Sequence, residues 1–221
     1  MHDFKNTLTV VLANADLLAA AMASAKVDPA WREMTADILI AARGGLEATQ
    51  RLLFFTQRGA GQGNHEDVAV GSLVTDVMAL VRRPLEQMQV RVTLDLRAPG
   101  SVRGNRYELH HAVLNLVINA RDAMPGGGQL TVAATARTRA EALASSLPQA
   151  GEYVEIVVTD TGAGMDAETL ARIFEPFFTT RSAGTGLGLS SVFGIVQNHG
   201  GNVTAESAPG KGARFRLLLP R

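Results

Sequence analysis

The apolar residues of this chain change their spacing once, and a glycine-rich stretch marks the change. Before it, Leu8, Val11, Leu12, Ala15, Ala19 and Met22 recur at the three- and four-residue intervals of one helix face. Lys26, Asp28 and Pro29 interrupt the run, and Trp31, Met34, Ile38, Ala41, Ala42, Leu46, Thr49, Leu52 and Leu53 resume it. Proline is tolerated where a helix begins, so Pro29 suits the start of the second helix. Two long helices joined by a short loop make an antiparallel hairpin. Alone they cannot bury two such faces, and a four-helix bundle built from two chains completes the core, so a homodimer is expected. Gly44 and Gly45 weaken the second helix by about 1 kcal/mol each relative to alanine, which close helix packing would explain. Trp31 is expected in the core.

The stretch Gly59-Ala60-Gly61-Gln62-Gly63-Asn64 reads as a linker. A length of 221 residues suits two domains. The expected division is a helical hairpin over 1–58, a linker over 59–66 and a second domain over 67–221. In that domain strand and helix patterns alternate. Helices are expected at Gly71 to Glu86, Tyr107 to Met124 and Leu187 to Asn198. Strands are expected at Val90 to Leu96, Gln129 to Ala136, Tyr153 to Thr159, Asn202 to Ser207 and Arg214 to Leu219. The last two are joined by the turn Pro209-Gly210-Lys211-Gly212, and Arg137 to Gly151 reads as an exposed hairpin insertion. The fold class is therefore α+β: a helical hairpin followed by an α/β sandwich with a mixed sheet.

Composition removes several function classes. Hydrophobic residues make up 46% of the chain, enough for a core. The 21 basic and 21 acidic residues cancel, so the broad basic surface that drives non-specific nucleic-acid binding is lacking and nucleic acid is not expected as a partner. There is no cysteine, hence neither a disulfide framework nor a thiolate metal site. The most apolar stretch, Leu8 to Ala25, contains Asn14 and Asp16 and reads as a packed helix and not a bilayer span; a cytosolic location is expected.

Three separated segments of the second domain carry chemistry. In Asn115-Leu116-Val117-Ile118-Asn119-Ala120-Arg121-Asp122-Ala123-Met124 the two asparagines stand one helical turn apart, so their amides point the same way. An amide oxygen can coordinate magnesium without adding charge beside a polyphosphate. Asp160-Thr161-Gly162-Ala163-Gly164-Met165 follows a strand; a carboxylate accepts hydrogen bonds, and Gly162 and Gly164 let the backbone approach a ring closely. Gly184-Thr185-Gly186-Leu187-Gly188-Leu189-Ser190 runs into a helix whose first amides suit phosphate oxygens. Between the last two lies Phe174-Glu175-Pro176-Phe177-Phe178-Thr179-Thr180-Arg181.

Order and placement together make this domain resemble the ATP-binding (Bergerat) fold shared by histidine kinases, type II topoisomerases, mismatch-repair ATPases and heat-shock chaperones. The resemblance implies ATP as cosubstrate with Mg2+ held by Asn119, and Asp160 accepting from the adenine amine. It makes Asn115, Asp122, Phe178, Thr179, Thr180, Arg181, Gly184, Thr185, Gly186, Leu187 and Gly188 nucleotide-binding positions. Hydrolysing members carry glutamate where Asn115 stands, and asparagine there resembles the kinases. The segment from Phe174 resembles the kinases' phenylalanine box and the start of their ATP lid, which is about two residues shorter here than in longer versions. Ala213 replaces a threonine usual in the family, at a cost of about 1 kcal/mol if a water-mediated adenine contact is lost.

At the other end, His2-Asp3-Phe4-Lys5-Asn6-Thr7-Leu8 resembles the phosphoacceptor box of hybrid-type sensor histidine kinases, with Lys5 in place of an asparagine. On a helix the apolar stripe lies roughly 140° from His2, with Asn6 one turn away on the same exposed side. The resemblance makes His2 the phosphate acceptor, Asp3 the group that polarises it and Asn6 the residue that orients water for dephosphorylating a partner. The expected activity is ATP-dependent autophosphorylation of His2, then transfer to an aspartate of a response-regulator receiver domain. Two alternatives share the fold: a phosphatase-biased module, and a phosphotransfer adaptor with an inactive nucleotide site. Because His2 stands so near the first residue, a longer kinase is expected, with this piece binding ATP well and phosphorylating itself poorly. His65, His110, His111 and His199 are expected to be surface or packing residues.

Overall fold

The computed structural model describes residues 65–138, 151–181 and 184–221, and in the first quarter of the chain Asn14, Trp31, Met34, Thr35 and Ile38. The chain divides into two compact units, Met1–Gln62 and Gly63–Arg221. In the first unit all five described residues are helical. Thr35 is buried and its hydroxyl donates to the Trp31 carbonyl one turn back at 2.7 Å. Trp31, by contrast, is 57% exposed, with Met34 and Ile38 exposed beside it on the same helical stripe. The expectation that Trp31 lies in a core is therefore corrected within the single chain. The rest of the expected hairpin, including His2, Asp3 and Asn6, lies outside the described residues.

The second unit is α+β with a mixed sheet. It begins with strand β1 (Glu66–Ala69), so Glu66 belongs to a strand and not to the linker expected over 59–66. Helix α1 (Val70–Gln87) follows, burying Val70, Leu73, Val74, Val77, Val81 and Leu85 at helical spacing. Strands β2 (Val90–Arg97) and β3 (Ser101–Gly104) lead to helix α2 (Arg106–Asp122). Next come β4 (Gly128–Thr138), β5 (Glu152–Asp160), the six-residue helix α3 (Ala167–Arg172), helix α4 (Gly188–Asn198), β6 (Asn202–Ser207) and β7 (Ala213–Pro220). Five strands form one sheet in the order β2-β4-β5-β7-β6. Only the β2–β4 pair is parallel. β5 is central and buries every residue from Tyr153 to Val158, and the helices α1, α2 and α4 pack beside one another against the sheet.

Three elements were not expected from the sequence. β1 and β3 pair with each other as a separate two-stranded sheet, and four residues are too few to show a period of two. α3 is a short helix whose start is set by Asp166, which accepts from the Thr169 N–H at 2.7 Å. The insertion expected at Arg137 to Gly151 begins as a continuation of β4 to Thr138; residues 139–150 lie outside the described residues.

Candidate nucleotide site

Helix α2 carries two stripes. Leu109, Ala112, Val113, Leu116, Val117 and Ala120 are buried, while His111, Asn115, Asn119 and Asp122 follow one another along a half-buried side. Asn115 lies 3.4 Å from His111 Nδ1. A Cβ on Gly188, the first residue of α4, would stand 3.6 Å from the Asn119 amide. The asparagine thus faces the glycine-rich start of α4, with room left by the missing side chain. The first turn of α4 holds no acidic residue, so its amide dipoles are free to meet an anion.

The carboxyl-terminal residue of β5 is Asp160, 3% exposed. Its Oδ1 accepts from the Gly162 N–H at 2.8 Å and from the Ala213 N–H at 3.3 Å. Burial pushes this carboxyl above its ordinary value, and the two amides and the Arg181 charge act against that shift. The surroundings allow no side chains. A Cβ on Gly164 (φ +68°) would lie 2.0 Å from the Ala208 carbonyl, and one on Gly212 (φ +72°) 2.0 Å from the Asp160 carbonyl. One on Gly162 would lie 2.5 Å from the Ala123 carbonyl, at the end of α2. The glycines therefore draw α2, β5 and β7 together around one buried carboxylate.

The connection from α3 to α4 is built differently. Phe177 is 74% exposed and holds a positive φ of 67°, and Gly186 (φ +66°) packs against its backbone. Phe178 is half-buried, with the Arg172 guanidinium 4.4 Å from its ring centre. Thr179 and Thr180 are exposed, and the Thr179 hydroxyl accepts from the Arg181 N–H at 3.1 Å. Gly184 donates to the Arg181 carbonyl, Thr185 is half-buried, and Leu187 caps α4. Arg181 reaches back to α2, its Nη1 donating to Asp122 at 2.9 Å and its Nη2 to the Asn119 carbonyl at 3.1 Å.

Two structural groups have partners that the sequence reading did not name, although His199 was expected as a surface or packing residue. Ser207 Oγ accepts from the Met165 N–H and donates to the Gly212 carbonyl, tying the loop after Asp160 to the β6–β7 turn. His199 is buried; its Nε2 accepts from the Asn105 N–H at 3.0 Å and its Nδ1 donates to the Ile195 carbonyl at 2.8 Å. One imidazole thereby joins the end of α4 to the start of α2. The side chain of Ala213 offers no polar group, but its backbone N–H is one of the two donors to Asp160.

The family described as histidine kinase-, DNA gyrase B- and HSP90-like ATPase matches residues 104–221, more than half of the chain and all of the elements from α2 onward. The chain belongs to this ATPase family. Sensor kinase CckA of Brucella abortus (strain 2308) is 36% identical over 229 residues, an alignment covering 100% of this chain and 23% of the relative. Sensor histidine kinase ZraS of Klebsiella oxytoca is 35% identical over 158 residues, covering 71% of this chain and 31% of the relative. The chain thus spans less than a third of the length of either relative. Among solved structures, full-length ShkA in complex with AMPPNP is 25% identical, with a TM-score of 0.67, covering 99% of this chain and 44% of that one. No helix among the described residues is long and apolar enough to cross a membrane.

Proposed function

We propose that this chain is the catalytic core of a two-component sensor histidine kinase, which phosphorylates His2 with ATP and passes the phosphoryl group to an aspartate of a response-regulator receiver domain. The observation that carries the reading is the buried Asp160 in its glycine cradle, set beside Asn119 facing the open start of α4. Asp160 keeps one carboxylate oxygen bound to two backbone amides, which fixes the other for the exocyclic amine of adenine. Gly162, Gly164 and Gly212 let the backbone segments around Asp160 approach more closely than any side chain would allow, which fixes the carboxylate for a purine. The phosphates lie toward Gly186 and Gly188, with Thr179, Thr180 and Arg181 as further donors. Asn119 is suited to hold Mg2+, an oxygen-preferring cation that neutralises phosphate charge when bound.

The His2 imidazole attacks the γ-phosphorus in line; the new N–P bond forms as the bond to the ADP oxygen breaks, ADP leaves, and the imidazole proton passes to the Asp3 carboxylate. Asparagine at 115 deprives a water of the carboxylate base that the hydrolysing relatives use, so ATP is kept for the protein acceptor. The relatives that match are named as sensor kinases, and the nucleotide analogue in ShkA supports ATP as the ligand. A homodimer through the helical hairpin is supported by the exposed stripe Trp31, Met34 and Ile38, which a second copy would cover in a four-helix bundle. A cytoplasmic location, where ATP is available, belongs to this reading.

The test is incubation of the full chain with γ-labelled ATP and magnesium beside His2→Gln and Asp160→Asn. Label that survives alkali, is lost in acid and is missing from both variants is the expected result. Label retained by His2→Gln would overturn His2 as the acceptor.

A further inference from the structure

The Asp122 carboxylate, at the end of α2, lies between two guanidinium groups. Arg121 donates to its Oδ1 from Nε at 2.8 Å and from Nη2 at 2.6 Å, and Arg181 donates to its Oδ2 at 2.9 Å. The other amino group of Arg181 is on the Asn119 carbonyl, in the last turn of α2, where the helix dipole presents partial negative charge. Arg181 therefore spends its charge on the anionic end of α2. It does so at the edge of the nucleotide site, because Asn119 itself faces the start of α4.

We propose that Asp122 is a specificity-determining residue that competes with nucleotide phosphates for Arg181, releasing the guanidinium to a triphosphate and keeping it from a ligand without phosphates. The inference rests on the nucleotide reading above. Three features make the exchange feasible. The Arg181–Asp122 pair is reached by solvent, at 41% and 32% for the two side chains, so it contributes little and breaks easily. A polyphosphate offers guanidinium two acceptor oxygens at once and more charge than one carboxylate. Arg121 stays on Asp122 when Arg181 leaves, so the carboxylate is not stranded without a counter-charge.

The sign is the reverse of what a direct ligand at Asp122 would give. Titration calorimetry with ATP, ADP and adenosine in the presence of magnesium tests it on the full chain, Asp122→Asn, Arg181→Gln and the double variant. Asp122→Asn is expected to tighten ATP about two- to fivefold, the range to which the contribution of an exposed pair converts, and to leave adenosine unchanged. Arg181→Gln is expected to weaken ATP, and the double variant to bind like Arg181→Gln alone, because nothing remains to be released. A weaker ATP affinity in Asp122→Asn would overturn the proposal. So would the same gain persisting without Arg181, which would mean plain repulsion between Asp122 and the phosphates. An unaltered chain that binds none of the three ligands would overturn the nucleotide reading and the exchange together, whereas binding without coupling would overturn the exchange alone.

Discussion

The two halves of the nucleotide site are made in opposite ways. Around Asp160 the groups are buried, held by backbone amides of a central strand and its neighbours, and closed by glycines whose missing side chains leave no slack. Between Phe177 and Gly188 the described residues are exposed or half-buried, include two positive φ angles and are pinned by an ion pair that solvent reaches. One half is fixed by close backbone packing, and the other is held chiefly by a solvent-reached ion pair; segments with little buried contact open at lower free energy.

Glycine substitution gives the largest expected difference between the halves. Gly212→Ala drives a Cβ to 2.0 Å from the Asp160 carbonyl at a φ of +72°, among strands that cannot move apart, and should cost about 3 kcal/mol or more by denaturant unfolding. Gly186→Ala meets the Phe177 backbone at 2.3 Å in a half-buried connection outside the sheet, so about 1 kcal/mol is expected. Equal losses would break the comparison.

Asp160→Asn sharpens it with two signs at once. Losing the anionic acceptor should weaken ATP about a hundredfold by calorimetry. Stability should move the other way. Burial raises the folded-state pKa of Asp160 above its unfolded value, so ionising it opposes folding. That penalty is absent below the unfolded value, grows as pH rises toward the folded value, and is complete above it. Asparagine keeps an oxygen for the Gly162 and Ala213 amides without the charge. Thermal melts near neutral pH should therefore show Asp160→Asn more stable than the parent, with the gain vanishing in acid; a less stable variant at neutral pH would contradict the assignment.

The smallest effect concerns the ends of α2 and α4 joined by His199. Glutamine at 199 can still accept from the Asn105 N–H, whereas asparagine can serve only the Ile195 carbonyl. His199→Asn should be the less stable by about 1 kcal/mol, the cost of a buried amide left unpaired, while ATP affinity stays within twofold for both. A large affinity loss in either would show that the site depends on this remote joint.

What could be read from the sequence follows the same division between local and distant. Asp160 and the glycines after it sit in one short run at the end of an apolar strand, and Asn115 and Asn119 are spaced by a helical turn, so their positions on strand and helix were legible while their roles rested on the family resemblance. Sheet strands of eight or more residues were legible for the same reason. Ser207 and His199 were not, because their partners lie 42 and 94 residues away and no local pattern records such a meeting. The Arg181–Asp122 pair spans 59 residues and was equally hidden; each residue alone resembled a ligand contact, and only their separation in space shows one holding the other. Trp31 misled because a lone aromatic on an apolar stripe reads as core whether its cover is the same chain or a second one.

The strand order adds a constraint in time. β7 follows every other element in sequence yet lies inside the sheet, between β5 and β6, and its first residue supplies the second donor to Asp160. On a ribosome, the carboxylate waits for a partner made more than fifty residues later, and the long-range pairing of β5 with β7 must close before both amides reach Asp160. A chain cut short before Ala213 is left with an interior strand missing and only one of the two backbone amides on Asp160.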